Sequence, residues 1–204
     1  MTTVYHSSPI QGLKEIRAQD EGTHGNHWVY AAHSLVMSAL FLAKPHTSEF
    51  ICAKRIINGK VTLIERFEGA LDLSYANKSG AIYLLPKAAF VEGQTDFSEE
   101  LVSNEAVKVL DEIQIDDMQQ YLFDLVDDDL LDIYLYPQRP PGIPENDEDL
   151  IIDAVVWHRL YGDAAIEKLA QYHPQLKARA EKAILDKTYA DVKSIGLMSS
   201  LLVR

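Results

Sequence analysis

Three side chains in the first half of the chain are suited to holding and stabilising positive charge: His6, Tyr30 and Glu100. A histidine offers a donor or an acceptor near neutral pH. A tyrosine face attracts a cationic ring by stacking and cation–π interaction. A fixed carboxylate stabilises a cation that develops in a transition state more than the ground state that precedes it. Each residue sits where an apolar stretch begins or gives out. His6 lies in Val4-Tyr5-His6-Ser7-Ser8-Pro9, which is β-branched or aromatic at its start and broken by Ser7-Ser8-Pro9, so it reads as a strand running into a loop. Tyr30 lies in Trp28-Val29-Tyr30-Ala31-Ala32, of the same character. Glu100 opens Glu100-Leu101-Val102-Ser103. We expect the three to meet in one cleft. The competing reading is three unrelated residues in an ordinary α+β domain.

Several elements must position them. Gln11 to Ile16 reads as a turn or a turn of helix, and Ala18 to His27 as a loop. After the Tyr30 stretch, Ser34 offers an N-cap for an apolar helix, Leu35 to Ala43, which Pro45 ends. Ser38 and Ala39 in that helix are small enough to let a ligand approach. Phe50–Ile57 and Val61–Phe67 read as strands joined at Asn58-Gly59, a strong hairpin signal. Ala81–Leu85 is a further strand, Lys87–Ser98 a connection, and Glu100–Ser103 and Val107–Ile115 the last strands.

Beyond Asp116 the pattern turns helical, with Met118, Tyr121, Leu122, Leu125 and Val126 on one face. Arg139 to Glu148 reads as a Pro-rich linker. Asp149–Gln171 and Gln175–Leu202 read as helices, the first broken near Tyr161-Gly162. The layout is α+β, an antiparallel-rich sheet region and then helices. It divides as a sheet domain over 1–115, an acidic helical connection over 116–138, a linker over 139–148 and a helical region over 149–204.

Composition narrows the partners. The chain has 204 residues and a formal charge of -12, which argues against nucleic acid, whose binders carry a basic stripe. The single cysteine, Cys52, lies in an apolar run and reads as a buried hydrophobe. No apolar run is long enough to span a bilayer, and the first residues lack a signal-peptide pattern, so a cytoplasmic protein is expected. No metal is expected. His24 and His27 lie in a Gly-rich loop without a cysteine or carboxylate at ligand spacing. Asp127-Asp128-Asp129 lacks the Gly and Glu of a calcium loop.

Tyr5-His6-Ser7-Ser8 resembles the first motif of ADP-ribosyltransferases of the histidine–tyrosine–glutamate type. Val29-Tyr30-Ala31-Ala32, with Ser38-Ala39 in the next helix, is similar to the second. Glu100-Leu101-Val102, with Lys108-Val109 downstream, looks like the third. The resemblance covers the first half of the chain and implies a split mixed sheet around a cleft that binds NAD as substrate. By motif position it implies that His6 bonds the nicotinamide ribose, Tyr30 stacks on the nicotinamide, Ser38 bonds the carboxamide, and Glu100 stabilises the cation formed as nicotinamide leaves. That step resembles glycoside cleavage, which also builds positive charge on a sugar. The acceptor is not implied; a protein and water are both open.

The chain departs from the pattern in two places. Ser7 stands where the family has a glycine whose backbone approaches the carboxamide. Glu99 and Glu105 lie near Glu100, and the spacing to Lys108-Val109 favours Glu100. A related group on the same fold takes a phosphate from RNA and needs basic residues that are missing beside these motifs. The alternative to an enzyme is an inactive module of the same fold that binds a protein partner through its acidic segment and helical tail. In that case His6 is a hydrogen-bonded strand-end residue, Tyr30 a core tyrosine, Ser38 a packing residue and Glu100 a solvated carboxylate.

Overall fold

The computed structural model describes residues 2–18, 26–43, 48–95 and 97–192. In chain order, β1 (Thr3–Ser8), β2 (Glu15–Ile16) and β3 (Val29–Ala32) lead into helix α1 (Leu35–Leu40). Then come β4 (Cys52–Ile57), β5 (Lys60–Glu65), helix α2 (Ala70–Tyr75), β6 (Gly80–Pro86), β7 (Val91–Glu92), β8 (Glu100–Ser103), β9 (Val107–Lys108) and β10 (Asp111–Ile115). Helix α3 (Met118–Asp127), β11 (Leu131–Tyr134) and helices α4 (Glu148–Tyr161), α5 (Asp163–Tyr172) and α6 (Lys177–Leu185) complete the described elements. The class is α+β. No helix among the described residues is long and apolar enough to cross a membrane.

Contacts divide the chain into two units: Met1–Thr47 with Tyr75–Leu131, and Ser48–Ser74 with Asp132–Arg204. The division falls elsewhere than at residue 115, because the β4–β5 hairpin groups with the C-terminal helices rather than with the N-terminal sheet.

Unit 1 holds a six-stranded sheet in the order β10-β6-β1-β3-β8-β7. Every neighbouring pair in it is antiparallel, so the expected mixed sheet is not what forms. The long connections from β1 to β6 and from β3 to β8 bring the chain back antiparallel, so no pair takes the slanted parallel ladder. Alternation sends Val4, Ala31, Tyr83, Leu85 and Leu101 to one face, where Ile16 and Val107 join them in a buried cluster. Those two residues face each other across the β2–β9 ribbon. The Val107–Ile115 stretch is therefore two strands. Val109 N–H donates to the Lys14 carbonyl and Leu110 N–H to the Leu84 carbonyl, so the chain changes partner between them. Helix α1 packs on β1, β3 and β6, capped by the Ser34 hydroxyl, which accepts from Met37 N–H at 3.3 Å. It ends at Leu40 and tightens into a 3₁₀ turn over Phe41–Ala43, short of the single helix expected.

Unit 2 holds a three-stranded sheet, β11-β5-β4. Asn58 and Gly59 both take positive φ, 52° and 82°, as a two-residue hairpin turn of the primed type requires. Gly162, at φ 60°, separates α4 from α5 as expected. Phe50 packs with Leu150, Ile151, Leu169 and Leu176 in the helical core. Burying each such side chain is worth roughly 1.5–3 kcal/mol. The last helix of the described residues ends at Leu185, and residues 193–202 of the Gln175–Leu202 expectation lie outside them. Cys52 is buried, and burial pushes its thiol up to about 12.

Charge is also buried in unit 2. Arg55 donates to Asp153 at 2.6 Å and to Glu49 at 2.9 Å. Arg66 donates to Asp149 at 2.8 Å and to Asp147 at 3.0 Å. The side chains of Arg66, Asp149 and Asp153 are 0% exposed. Burial raises the Asp153 carboxyl to about 6, with Glu49 and Asp149 adding to the rise and Arg55 opposing it. Burial also works against the Arg55 charge, but Asp153, Glu49 and Asp149 outweigh it and hold the guanidinium protonated. Removing one partner from such a set strands the other in low dielectric, at a cost of about 3–5 kcal/mol.

Candidate functional site

β1 pairs with β6 over six residues, Thr3↔Pro86 to Ser8↔Ala81, but meets β3 at one register position, Tyr5↔Ala32. Past that bridge the imidazole of His6 takes up the backbone of the neighbouring strand. Its Nδ1 lies 2.7 Å from the Tyr30 carbonyl. A carbonyl only accepts, so Nδ1 carries the proton, and in the neutral ring Nε2 is then the accepting atom.

Tyr30 is half-buried, and its ring meets that of Trp28 edge-on, centroids 6.2 Å apart. β3 pairs fully with β8, placing Ala32 opposite Glu100 and Tyr30 opposite Val102. Opposed residues share a face, and so do residues two apart along a strand. Tyr5, Tyr30, Ala32 and Glu100 therefore lie on one face. Glu99 falls on the other, with Ala31 and Leu101, and its backbone carbonyl accepts from His33 N–H at 3.0 Å. Glu105 is exposed past the end of β8. Of the three carboxylates, Glu100 is the one that shares the Tyr30 face.

Ser7 is opposite Ile82 and, two residues from Tyr5, on the same face as Tyr30 and Glu100. Its side chain stands on that face where a glycine would place nothing. Ser38 is 2% exposed in α1, and its backbone N–H donates to the Ser34 carbonyl at 3.0 Å. The structure thus places Ser7, Tyr30 and Glu100 on one face of the sheet and the His6 side chain, opposite Tyr83, on the other. The expected single cleft holding His6, Tyr30 and Glu100 side by side does not form. His6 reaches Tyr30 through the Tyr30 backbone carbonyl, and Ser38 lies in the buried layer of the adjoining helix.

Sequence reasoning passed over Trp28 and His33 as site residues. Trp28 was legible, since it lies two residues before Tyr30 in the same strand-like run. His33 lies 3.5 Å from Glu92, which is 2.8 Å from Lys87, an exposed charge group that tertiary pairing alone brings together. Lys87 holds the Glu92 carboxyl below its ordinary range. Among the described residues no three histidine, cysteine or acidic side chains are grouped to hold a metal. A cavity of about 380 Å³ lies elsewhere, in unit 2, beside His158, Asp163, Glu167 and Glu181.

Comparison with protein-family models, with curated proteins and with solved structures found no match to this chain.

Proposed function

We propose that the chain is an NAD-dependent ADP-ribosyltransferase, or an NAD glycohydrolase where water is the acceptor, with an ADP-ribosyltransferase-like fold in its sheet unit. One observation carries the reading: β1 and β3 part after a single bridge, so a ligand entering the gap would meet His6, whose Nδ1 bonds the Tyr30 carbonyl, from one face and Tyr30 with Glu100 from the other. With Nδ1 committed, Nε2 of His6 is the atom that accepts a ribose hydroxyl. Tyr30, backed by Trp28, offers the pyridinium an aromatic face. The Glu100 carboxylate stabilises the ribosyl cation as the C–N bond to nicotinamide breaks and the bonding pair leaves with nicotinamide. Ser38 takes the carboxamide only if the ligand reaches past the exposed layer.

Two variants separate recognition from catalysis. Tyr30→Ala should weaken NAD binding by roughly 1–2 kcal/mol, read by calorimetry. Glu100→Gln should leave binding nearly unchanged while nicotinamide release slows by about 10²-fold or more. Turnover that survives Glu100→Gln would remove the carboxylate from its assigned role.

Ser7 favours a second reading, an inactive module of this fold that binds a protein partner. Its hydroxymethyl occupies the ligand face. A thermal shift with NAD decides between the two, because a ligand bound to the native state alone raises the melting temperature. No shift at millimolar NAD leaves the binding-module reading.

A further inference from the structure

Ile10–Leu13, which directly follows the His6 strand, is held by side chains from two other strands. The Tyr83 hydroxyl of β6 donates to the Ile10 carbonyl at 2.7 Å and accepts from Leu13 N–H at 3.1 Å. Oε1 of Glu112, on β10, accepts from Gly12 N–H at 2.7 Å and lies 3.4 Å from the Tyr83 hydroxyl. Gln11 Nε2 donates to the Gly80 carbonyl at 3.0 Å. Gly12 itself sits at φ 77°, the left-handed region. Four consecutive residues are thus fixed by β6 and β10.

Tyr83 has a second relation to the site. Register places it opposite His6 on β1 and opposite Glu112 on β10, so His6, Tyr83 and Glu112 form one cross-strand row on one face. Directly opposed side chains on one face are contact neighbours. Tyr83 is fully buried, so its ring is fixed, and burial raises its phenol above the ordinary range and keeps the donor proton in place.

We propose that Tyr83 is a positioning residue for His6, holding its imidazole in register from the opposed strand position while its hydroxyl, with Glu112 as partner, fixes Ile10–Leu13. The nucleotide part of this inference rests on the proposed NAD reading; the positioning part does not. Gly12 and Leu13 N–H are already bonded to Glu112 and Tyr83, so they are not an open cradle for phosphate.

Tyr83→Phe, made in the full chain, keeps the buried ring and removes the hydroxyl. Three readouts apply. Hydrogen exchange at the Leu13 and Gly12 amides should quicken about tenfold, because their opening becomes local. The His6 Nδ1–H resonance should shift or broaden. The KM for NAD should rise about tenfold with kcat within about twofold, as expected when uniform binding is lost. An unchanged His6 resonance overturns the proposal, even if the melting temperature falls, since that is the behaviour of a merely structural tyrosine. If wild type binds no NAD, the nucleotide reading fails, and the exchange and imidazole signals still decide the positioning role. Should Tyr83→Phe not fold, Glu112→Gln leaves Tyr83 packed and weakens the acceptor for Gly12 N–H. Faster exchange at Gly12 with a shifted His6 resonance then supports the proposal, and no change in either overturns it.

Discussion

Asp153 binds its proton more tightly in the folded chain than its ordinary value of 3.8 allows, with burial as the main cause. The sign follows from that shift. The stability it contributes is fully present below 3.8 and is lost as pH rises through about 6. Glu49 runs the other way. Burial opposes its charge, but Lys54 and Arg55 prevail and hold it below 4.5, so its contribution is present above 4.5 and lost on acidification. Asp153→Asn removes the first titration and keeps the second. Urea unfolding of wild type and variant should show wild type losing ground, by on the order of 1–3 kcal/mol, as pH is raised from about 4 to about 7. A difference flat across that range would mean that Asp153 titrates as an ordinary carboxylate. Nothing near Asp153 in the sequence announces this, because its partner Arg55 lies 98 positions away. His6 and Tyr30 were more legible. Each stood in a short run with its own strand signal, although only coordinates show which atoms meet.

Gly80 shows what decides at the scale of elements. A Cβ there would overlap the Ser8 carbonyl oxygen and come within 2.6 Å of Leu42 Cδ2. The glycine thus lets β6 approach the end of β1. Gly80→Ala should cost about 1–3 kcal/mol by overpacking, seen as a lower melting temperature. A variant as stable as wild type would show that the turn after β1 yields easily. Some elements could be read directly: the Asn58-Gly59 hairpin, the Ser34 cap and the Gly162 break each have a local chemical cause. Others could not. Glu15–Ile16 is strand only because Val107–Lys108 lies beside it. Leu131 and Ile133 in β11 do alternate, but in sequence that stretch reads as part of the acidic helical connection over 116–138. The hairpin was recognised, yet its allegiance to α4 was not, because hydrophobic pattern says that a face is buried and not against what.

On the scale of the whole molecule, the chain leaves unit 1 after Thr47, returns at Tyr75 and leaves again after Leu131. A truncation after Pro141 would remove α4, α5 and α6. Phe50 would lose its core neighbours, and Arg55 and Arg66 would lose Asp153 and Asp149. We expect residues 48–74 of that fragment to be cut readily by protease while they resist it in the full chain. Equal resistance would show that the hairpin holds without the helices. The same discontinuity governs the order of events during synthesis. Domains tend to form as units as the nascent chain lengthens, at about 5–20 residues per second. The β4–β5 hairpin cannot complete its unit until α4 has emerged, since Arg66 waits 83 positions for Asp149 and Arg55 waits 98 for Asp153. For several seconds, on that scale, the ribosome-bound chain displays two guanidinium groups and an apolar strand pair without their covers. That is the interval in which a chaperone would find this protein.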